Sequence, residues 1–411
     1  MNSSYDNNCR RGQTPCFDYR TTNNTSICAP AITCSILESC NHTGFNCSTT
    51  SSVCIVNSCC SSQAVCIPIE WINFCQSGQW RLMNTMQQSR SYHTASLLPD
   101  GKVLVVGGIV PPTTYQDTAE IFHPSNETFT LTSTMSTTRA YHTASILQNG
   151  YVLVAGGYNS GGTGLAQVEF YNSSSDTRIA VSSMNRVRYQ HSAVVLLNGT
   201  VLVIGGIDSV AISDVELYDP STDTWTSVAS MIFPRYSATA TLLSDGKVLV
   251  VSGYDGVNYL NASELFDPLA NSWSIVSGQN ASRSDHTASL LSDGRVLVAG
   301  GYDSIFVTTT EIYDPTTNTW TTTGTLNYPR YKHTATVLNN GKVLVTGGYA
   351  FPANADSAEF YDPTTGLWVT TNDMQYTRVA HTATLLSNGK VLVTGGQSSG
   401  SSYFTAELYE T

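Results

Sequence analysis

Apolar residues in this chain come in short runs, four or five long, and never at helical spacing over residues 76–411. Val103–Val106 is one such run, closed by Gly107 and Gly108. Arg90, Arg139, Arg188, Arg235, Arg283, Arg330 and Arg378 each open the same pattern, at gaps of 49, 49, 47, 48, 47 and 48 residues. After the Arg comes a segment like Thr239-Ala-Thr-Leu-Leu243, then a turn such as Ser244-Asp-Gly-Lys247. A Val-Leu-Val run follows, ending in Gly-Gly at 107/108, 156/157, 205/206, 300/301, 347/348 and 395/396, with Ser252-Gly253 in the fourth copy. A variable loop leads to Glu120, Glu169, Glu216, Glu264, Glu311, Glu359 or Glu407, each opening another short run. The last run is led by an aromatic, Phe129, Trp225, Trp273, Trp320 or Trp368, with Ile179 in the second copy.

Four strand-length runs per copy with turn chemistry between them predict a four-stranded antiparallel meander, strands a to d. Asp-Gly and Asn-Gly are preferred hairpin turns, and Asp-Pro before Ser, Thr or Asn fits a type I turn. A lone four-stranded sheet leaves both faces bare, whereas seven in a ring bury both faces and remove the long edges. The predicted fold is all-β: a seven-bladed propeller over residues 76–411, preceded by a small domain at residues 1–75.

These copies resemble the kelch repeat, whose period is about 50 residues. The wording His-Thr-Ala-Thr-Leu-Leu with Gly-Lys-Val-Leu-Val-Thr-Gly-Gly is similar to the propeller of the galactose-oxidase-like family. That resemblance implies a seven-bladed ring and, in the oxidases, copper held by two Tyr and two His, one Tyr cross-linked to Cys. No Cys follows Cys75, so the cross-link cannot form here. In that family one copper ligand comes from a domain after the propeller, and that ligand too is expected to be lacking here. The expectation is a non-enzyme without cofactor.

The seventh copy has strands a, b and c, ending near Glu407. Gln79-Trp80 to Met86, before the first Arg, matches strand d of the other copies. It is expected to complete the seventh blade, either of its own ring or of a neighbouring chain's.

All eleven cysteines precede the propeller: Cys9, Cys16, Cys28, Cys34, Cys40, Cys47, Cys54, Cys59, Cys60, Cys66 and Cys75. Such density, without Cys-x-x-Cys pairs, reads as a disulfide-stapled module rather than a zinc site. The odd number leaves one cysteine free or paired with another chain. Disulfides imply secretion, yet Met1-Asn-Ser-Ser-Tyr-Asp lacks a leader's apolar core, so the leader is expected to be missing from this chain. Ten Asn-x-Ser/Thr sequons fit an extracellular glycoprotein: Asn2, Asn23, Asn24, Asn41, Asn46, Asn126, Asn172, Asn198, Asn261 and Asn280.

Net charge is −11 and charged residues are only 12%. With no basic stripe, nucleic acid is not an expected partner, nor is an anionic lipid surface. No apolar run reaches 18 residues, so no membrane span is expected.

His93, His142, His191, His286, His333 and His381 recur three residues after the Arg; Ala238 stands in the fourth copy. A channel metal site is one reading. A blade-stabilising hydrogen bond near strand a is the simpler one, because a group repeated once per blade serves the blade. The seven Arg and seven Glu read likewise, as ion pairs between strands or blades. Individuality lies in the b–c loops, which carry Tyr115, Tyr158, Tyr254, Tyr259, Tyr302, Phe306, Tyr349, Phe351, Tyr403 and Phe404. Aromatics on a rigid scaffold's loops bind other proteins or glycans. Packing over the blades is the alternative.

The sequence thus predicts an extracellular structural or interaction scaffold. The seam strand and odd cysteine point to homo-oligomers or a fibre, with extracellular proteins or glycans as partners. A carbohydrate-binding propeller, or less readily a sugar-oxidase relative, is the other reading.

Overall fold

The computed structural model describes residues 78–276, 278–350 and 355–410, and the backbone of five short strands before them. Those strands are Cys16–Thr21, Ser26–Pro30, Glu38–Ser39, Ser52–Val56 and Val65–Pro68. They form one antiparallel sheet in the order second, first, fourth, fifth, third. Cys16, Cys28, Cys54 and Cys66 lie on these strands; Cys9, Cys34, Cys40, Cys47, Cys59, Cys60 and Cys75 lie outside the described residues.

Seven four-stranded antiparallel sheets follow. Blade 1 comprises strands a (Thr94–Leu97), b (Val103–Val106), c (Ala119–His123) and d (Thr128–Thr132). The same order recurs through blade 7, whose strands a, b and c are Thr382–Leu385, Val391–Thr394 and Ala406–Glu410. Strand a of each blade touches strand a of the blades on both sides, blade 7 against blade 1 included, so the blades ring a central channel.

Period-two alternation on strand b explains why a flat sheet becomes a blade. All four residues Val103–Val106 are fully buried. Val103 and Val105 pack with Leu392, Ala406 and Leu408 of blade 7. Leu104 and Val106 pack with Val152, Val154 and Tyr171 of blade 2. Successive side chains face opposite sides of a strand, so an uninterrupted apolar run is what a sheet buried on both faces requires. The core is therefore a series of interfaces between blades.

In blade 1 both glycines of the pair are crowded by neighbouring backbone. Gly108 has φ of 103°, and a Cβ there would lie 2.7 Å from the Ser91 carbonyl oxygen. At Gly107 a Cβ would lie 2.6 Å from the Arg139 carbonyl oxygen of the next blade. That close approach carries a bond: Gly108 N–H donates to Arg139 O at 2.8 Å.

The chain divides into two compact units: Leu82–Val369 with Asp373–Leu408, and Met1–Arg81 with Thr370–Asn372 and Tyr409–Thr411. The fourth strand of blade 7 is Gln79–Leu82, beside strand c. Within the larger unit Met83 N–H donates to Ala406 O and Met86 N–H to Phe404 O, at 2.9 and 2.7 Å. Within the smaller one Gly78 N–H donates to Glu410 O at 2.6 Å, and the Trp80 and Tyr409 rings lie 4.9 Å apart. The indole N–H of Trp80 donates to Asn372 O at 2.8 Å.

Candidate functional site

The seven Arg and seven Glu form a brace inside each repeat. Arg–Glu distances run from 2.6 to 3.2 Å with both side chains buried. Arg90 also donates to the Gly107 and Thr118 carbonyls, tying strand a to both ends of the b–c loop. Glu120 accepts the Gln87 and Gln88 N–H groups of the linker into strand a. Burial pulls each Arg below its ordinary pKa, and the Glu partner opposes that pull. The pair is thus within one blade, not between blades, and its bonds brace the strands and loops of that blade.

The six histidines do link blades. Each Nε2 pairs with the Thr Oγ1 that opens strand a of the preceding blade, at 2.8 to 3.1 Å. Burial, with a nearby Arg adding to it, holds the imidazoles well below their ordinary range and thus neutral; His191 and His381 fall to about 3. In blade 4, where Ala238 replaces the imidazole, Ser192 Oγ donates to the Ala238 carbonyl at 2.7 Å.

Between each Arg and His lies the residue that breaks the symmetry. Tyr92, Tyr141, Gln190, Ser237, Asp285, Lys332 and Ala380 occupy equivalent positions, all with φ between 50° and 58°. Each N–H donates to the carbonyl of its counterpart one blade earlier, from Tyr141 to Tyr92 round to Tyr92 to Ala380, at 2.9 to 3.3 Å. Seven such bonds close a backbone ring at one end of the channel. The side chains rim a cavity of 290 Å³, floored by His93, His142, His191, His333, His381 and Ala238. The Tyr92 and Tyr141 rings lie with centroids 4.3 Å apart, tilted by 35°. Lys332 reaches past the small Ala380, its Nζ 3.4 Å from the Tyr92 hydroxyl and 5.4 Å from the ring centroid. Burial pushes Tyr92 up to about 12 and raises Tyr141 as well.

The b–c loop aromatics form a belt. Tyr254 contacts Tyr259, Tyr259 contacts Tyr302, and Tyr302 contacts Phe306, at 4.7 to 6.2 Å between centroids. Tyr236 and Tyr331 extend the series, and Tyr331 stacks on Tyr349 at 5.0 Å and 24°. Tyr115, Tyr158 and Tyr189 make a second series, and Tyr403 meets Tyr376. Most are half-buried, but Tyr349 is 42% and Phe404 51% exposed. Phe351 lies outside the described residues. The loop reading missed Tyr189, Tyr236 and Tyr331, which follow the Arg directly, and the channel rim two residues after it. The available signal was variation at a fixed offset within an otherwise constant motif.

Asn126 and Asn172 sit at c–d turns and Asn198 at an a–b turn, each side-chain oxygen accepting the hydroxyl two residues on. Asn261 and Asn280 are exposed near the belt's loops, whereas Asn172 is half-buried. Asn2, Asn23, Asn24, Asn41 and Asn46 lie outside the described residues. Among the described residues no helix is long and apolar enough to cross a membrane.

The comparisons agree with this architecture. Residues 185–348 match the KLHDC2/KLHL20/DRC7 Kelch-repeats domain, and residues 90–136 and 330–375 match the Kelch motif. No curated protein matches. A copper-bound fungal alcohol oxidase of the AA5 family is similar in structure, with a TM-score of 0.66 and 19% identity over 81% of this chain and 76% of that one. Copper does not suit the donors here. Among the described residues no three His, Cys, Asp or Glu side chains converge, and the channel imidazoles direct Nε2 at threonine hydroxyls. Repeat by repeat, from Arg90 to Glu407, the chain is a seven-bladed kelch-repeat β-propeller.

Proposed function

We propose that this propeller is a binding scaffold rather than an enzyme, and that it engages a macromolecular partner through the face bearing the b–c loops and channel rim. One observation carries this reading: the side chains that escape the repeat, the rim and the aromatic belt, lie on that face. The repeated charges and imidazoles are committed to braces. Large rigid aromatics with half-exposed faces are the residues that dominate protein interfaces. The test is a Tyr254→Ser, Tyr331→Ser double variant. It is expected to keep the wild-type melting temperature within a few degrees while losing a partner that the wild type retains. Equal retention by both would place binding elsewhere.

The cysteine-dense segment supports an extracellular setting, a disulfide-stapled module and assembly through the odd cysteine. An unreduced intact mass of the secreted protein tests all three. It should fall by about two mass units per disulfide relative to the reduced chain, rise by glycan at sequons such as Asn126 and Asn198, and double if the odd cysteine bridges two chains. A fully reduced, unmodified monomer would remove this part of the reading.

A glycan is the second candidate partner, favoured by the exposed Tyr349 ring stacked on half-buried Tyr331. Glycan-array binding lost in Tyr349→Ser would select it. Peroxide release from alcohols, the activity class of the copper-bound neighbour, would overturn the non-enzymatic reading.

A further inference from the structure

We infer that the channel mouth accepts a basic side chain, arginine or lysine, from the protein docked on this face, with Asp285 as its counter-ion. The inference rests on the scaffold reading and names its anchor. The rim supplies one carboxylate, Asp285, whose Oδ2 accepts from Ser284 Oγ at 3.2 Å. No cationic side chain pairs with it among the described residues, whereas Lys332 is drawn to Tyr92. In the ring Asp285 lies between Ser237 and Lys332, and Ser237 and, beyond it, Gln190 supply further acceptor oxygens on the same cavity. Five imidazoles, those of His93, His142, His191, His333 and His381, line the floor; blade 4, beneath Ser237, offers only the Ala238 methyl. The small Ala238 leaves room under Ser237, the ring neighbour of Asp285, for a long side chain to enter.

Size and charge agree. The cavity holds 290 Å³, at the lower edge of ligand pockets, which start near about 300 Å³. One extended side chain fits it; a large ligand does not. The surrounding imidazoles are neutral, and among the described residues Lys332 is the one cation on the rim. A chain of net charge −11 draws basic partners from a distance. The Tyr92–Tyr141 pair already has one ammonium over a ring face, so a second cation finds aromatic faces beside it.

The test uses the intact protein with alanine methyl groups labelled, so that Ala238 and Ala380 report on the cavity by NMR. N-acetyl-arginine methylamide is the probe, with the glutamine and glutamate analogues as neutral and acidic controls. Saturable shifts at Ala238 with the arginine probe are expected. Asp285→Asn should weaken binding about tenfold, the loss of one charge-assisted hydrogen bond. Ala238→His should block it while keeping the fold, because the other blades carry that imidazole and Ser192 Oγ is placed to meet it. Lys332→Gln should bind at least as well as wild type. No saturable shift, unchanged affinity in Asp285→Asn, or preference for the glutamate analogue each overturns the inference. Those outcomes leave the belt variants' effect on partner retention as a separate measure of the scaffold reading.

Discussion

Each Arg–Glu brace confines two charges where water does not reach. In blade 5, Glu311 accepts Arg283 at 2.7 Å and the Asn280 and Ala281 N–H groups. Glu311→Leu strands a buried guanidinium and should cost about 3–5 kcal/mol. Glu311→Gln keeps one acceptor oxygen and should cost less. Denaturant titration of the two variants measures the order, and equal losses would mean the linker bonds, not the charge, carry the brace. The imidazoles set the pH response. Unfolded, they titrate near 6.5; folded, they are depressed, His191 and His381 to about 3. Below pH 6.5 the unfolded chain therefore binds more protons. Stability is full above that value and is lost as pH falls toward 3, each buried His steepening the loss by up to about 1.4 kcal/mol per pH unit. The melting temperature should fall continuously from pH 7 to pH 5, and less steeply in His191→Gln; a flat profile would contradict the neutral, buried imidazoles. These roles were legible because they repeat. The rim was not: Tyr92, Gln190 and Asp285 share an offset but no chemistry, and only the ring of backbone bonds shows that they converge.

At the scale of the strand, the sequence pattern held wherever both faces are buried. Val-Leu-Val runs became strand b in every blade, and the match of Gln79–Leu82 to strand d placed it beside Ala406–Glu410. What the pattern left out was fine structure in the b–c loops. Ile207–Asp208 pairs with Val210–Ala211 and Tyr302–Asp303 with Ile305–Phe306 as miniature hairpins. Two-residue ladders are too short to leave a periodicity. The aromatic that leads strand d also divides by context. Trp80 is 8% exposed, against Tyr409 and bonded to Asn372 O. Trp225, with the same kind of indole bond to Ser182 O, is half-buried. Trp80→Ala should therefore approach the upper end of the roughly 3–5 kcal/mol seen for large aromatic deletions, and Trp225→Ala should cost less. Thermal melts of the two variants decide it; the reverse order would mean that strand Gln79–Leu82 contributes little to blade 7.

Across the whole ring, closure does not depend on one covalent path. The bond from Tyr92 N–H to Ala380 O joins blade 1 to blade 7 as the bond from Tyr141 N–H to Tyr92 O joins blade 2 to blade 1, at 3.0 and 3.1 Å. Gly396 N–H to Arg90 O, at 2.9 Å, repeats at the seam the link that Gly108 makes to Arg139. Every interface between blades thus carries the same two backbone bonds and an apolar layer from strand b, and the seam is built like the others. A break in the chain should then be portable. A circular permutant that joins Glu410 to Gly78 and opens the a–b turn of blade 3 at exposed Asn198 keeps all of these bonds. It should fold and melt within a few degrees of the unpermuted propeller. Removing one repeat, residues 139–187, is a different perturbation: every blade-to-blade angle must widen, and the seven-membered backbone ring has no partner of the right reach. That variant should be recovered as aggregate or unfolded chain. Circular dichroism and gel filtration of both proteins give the answer. A permutant that fails to fold would show that the native chain order is itself required for closure, and a stable six-bladed deletion would show that the backbone ring at the channel mouth does not fix the blade number.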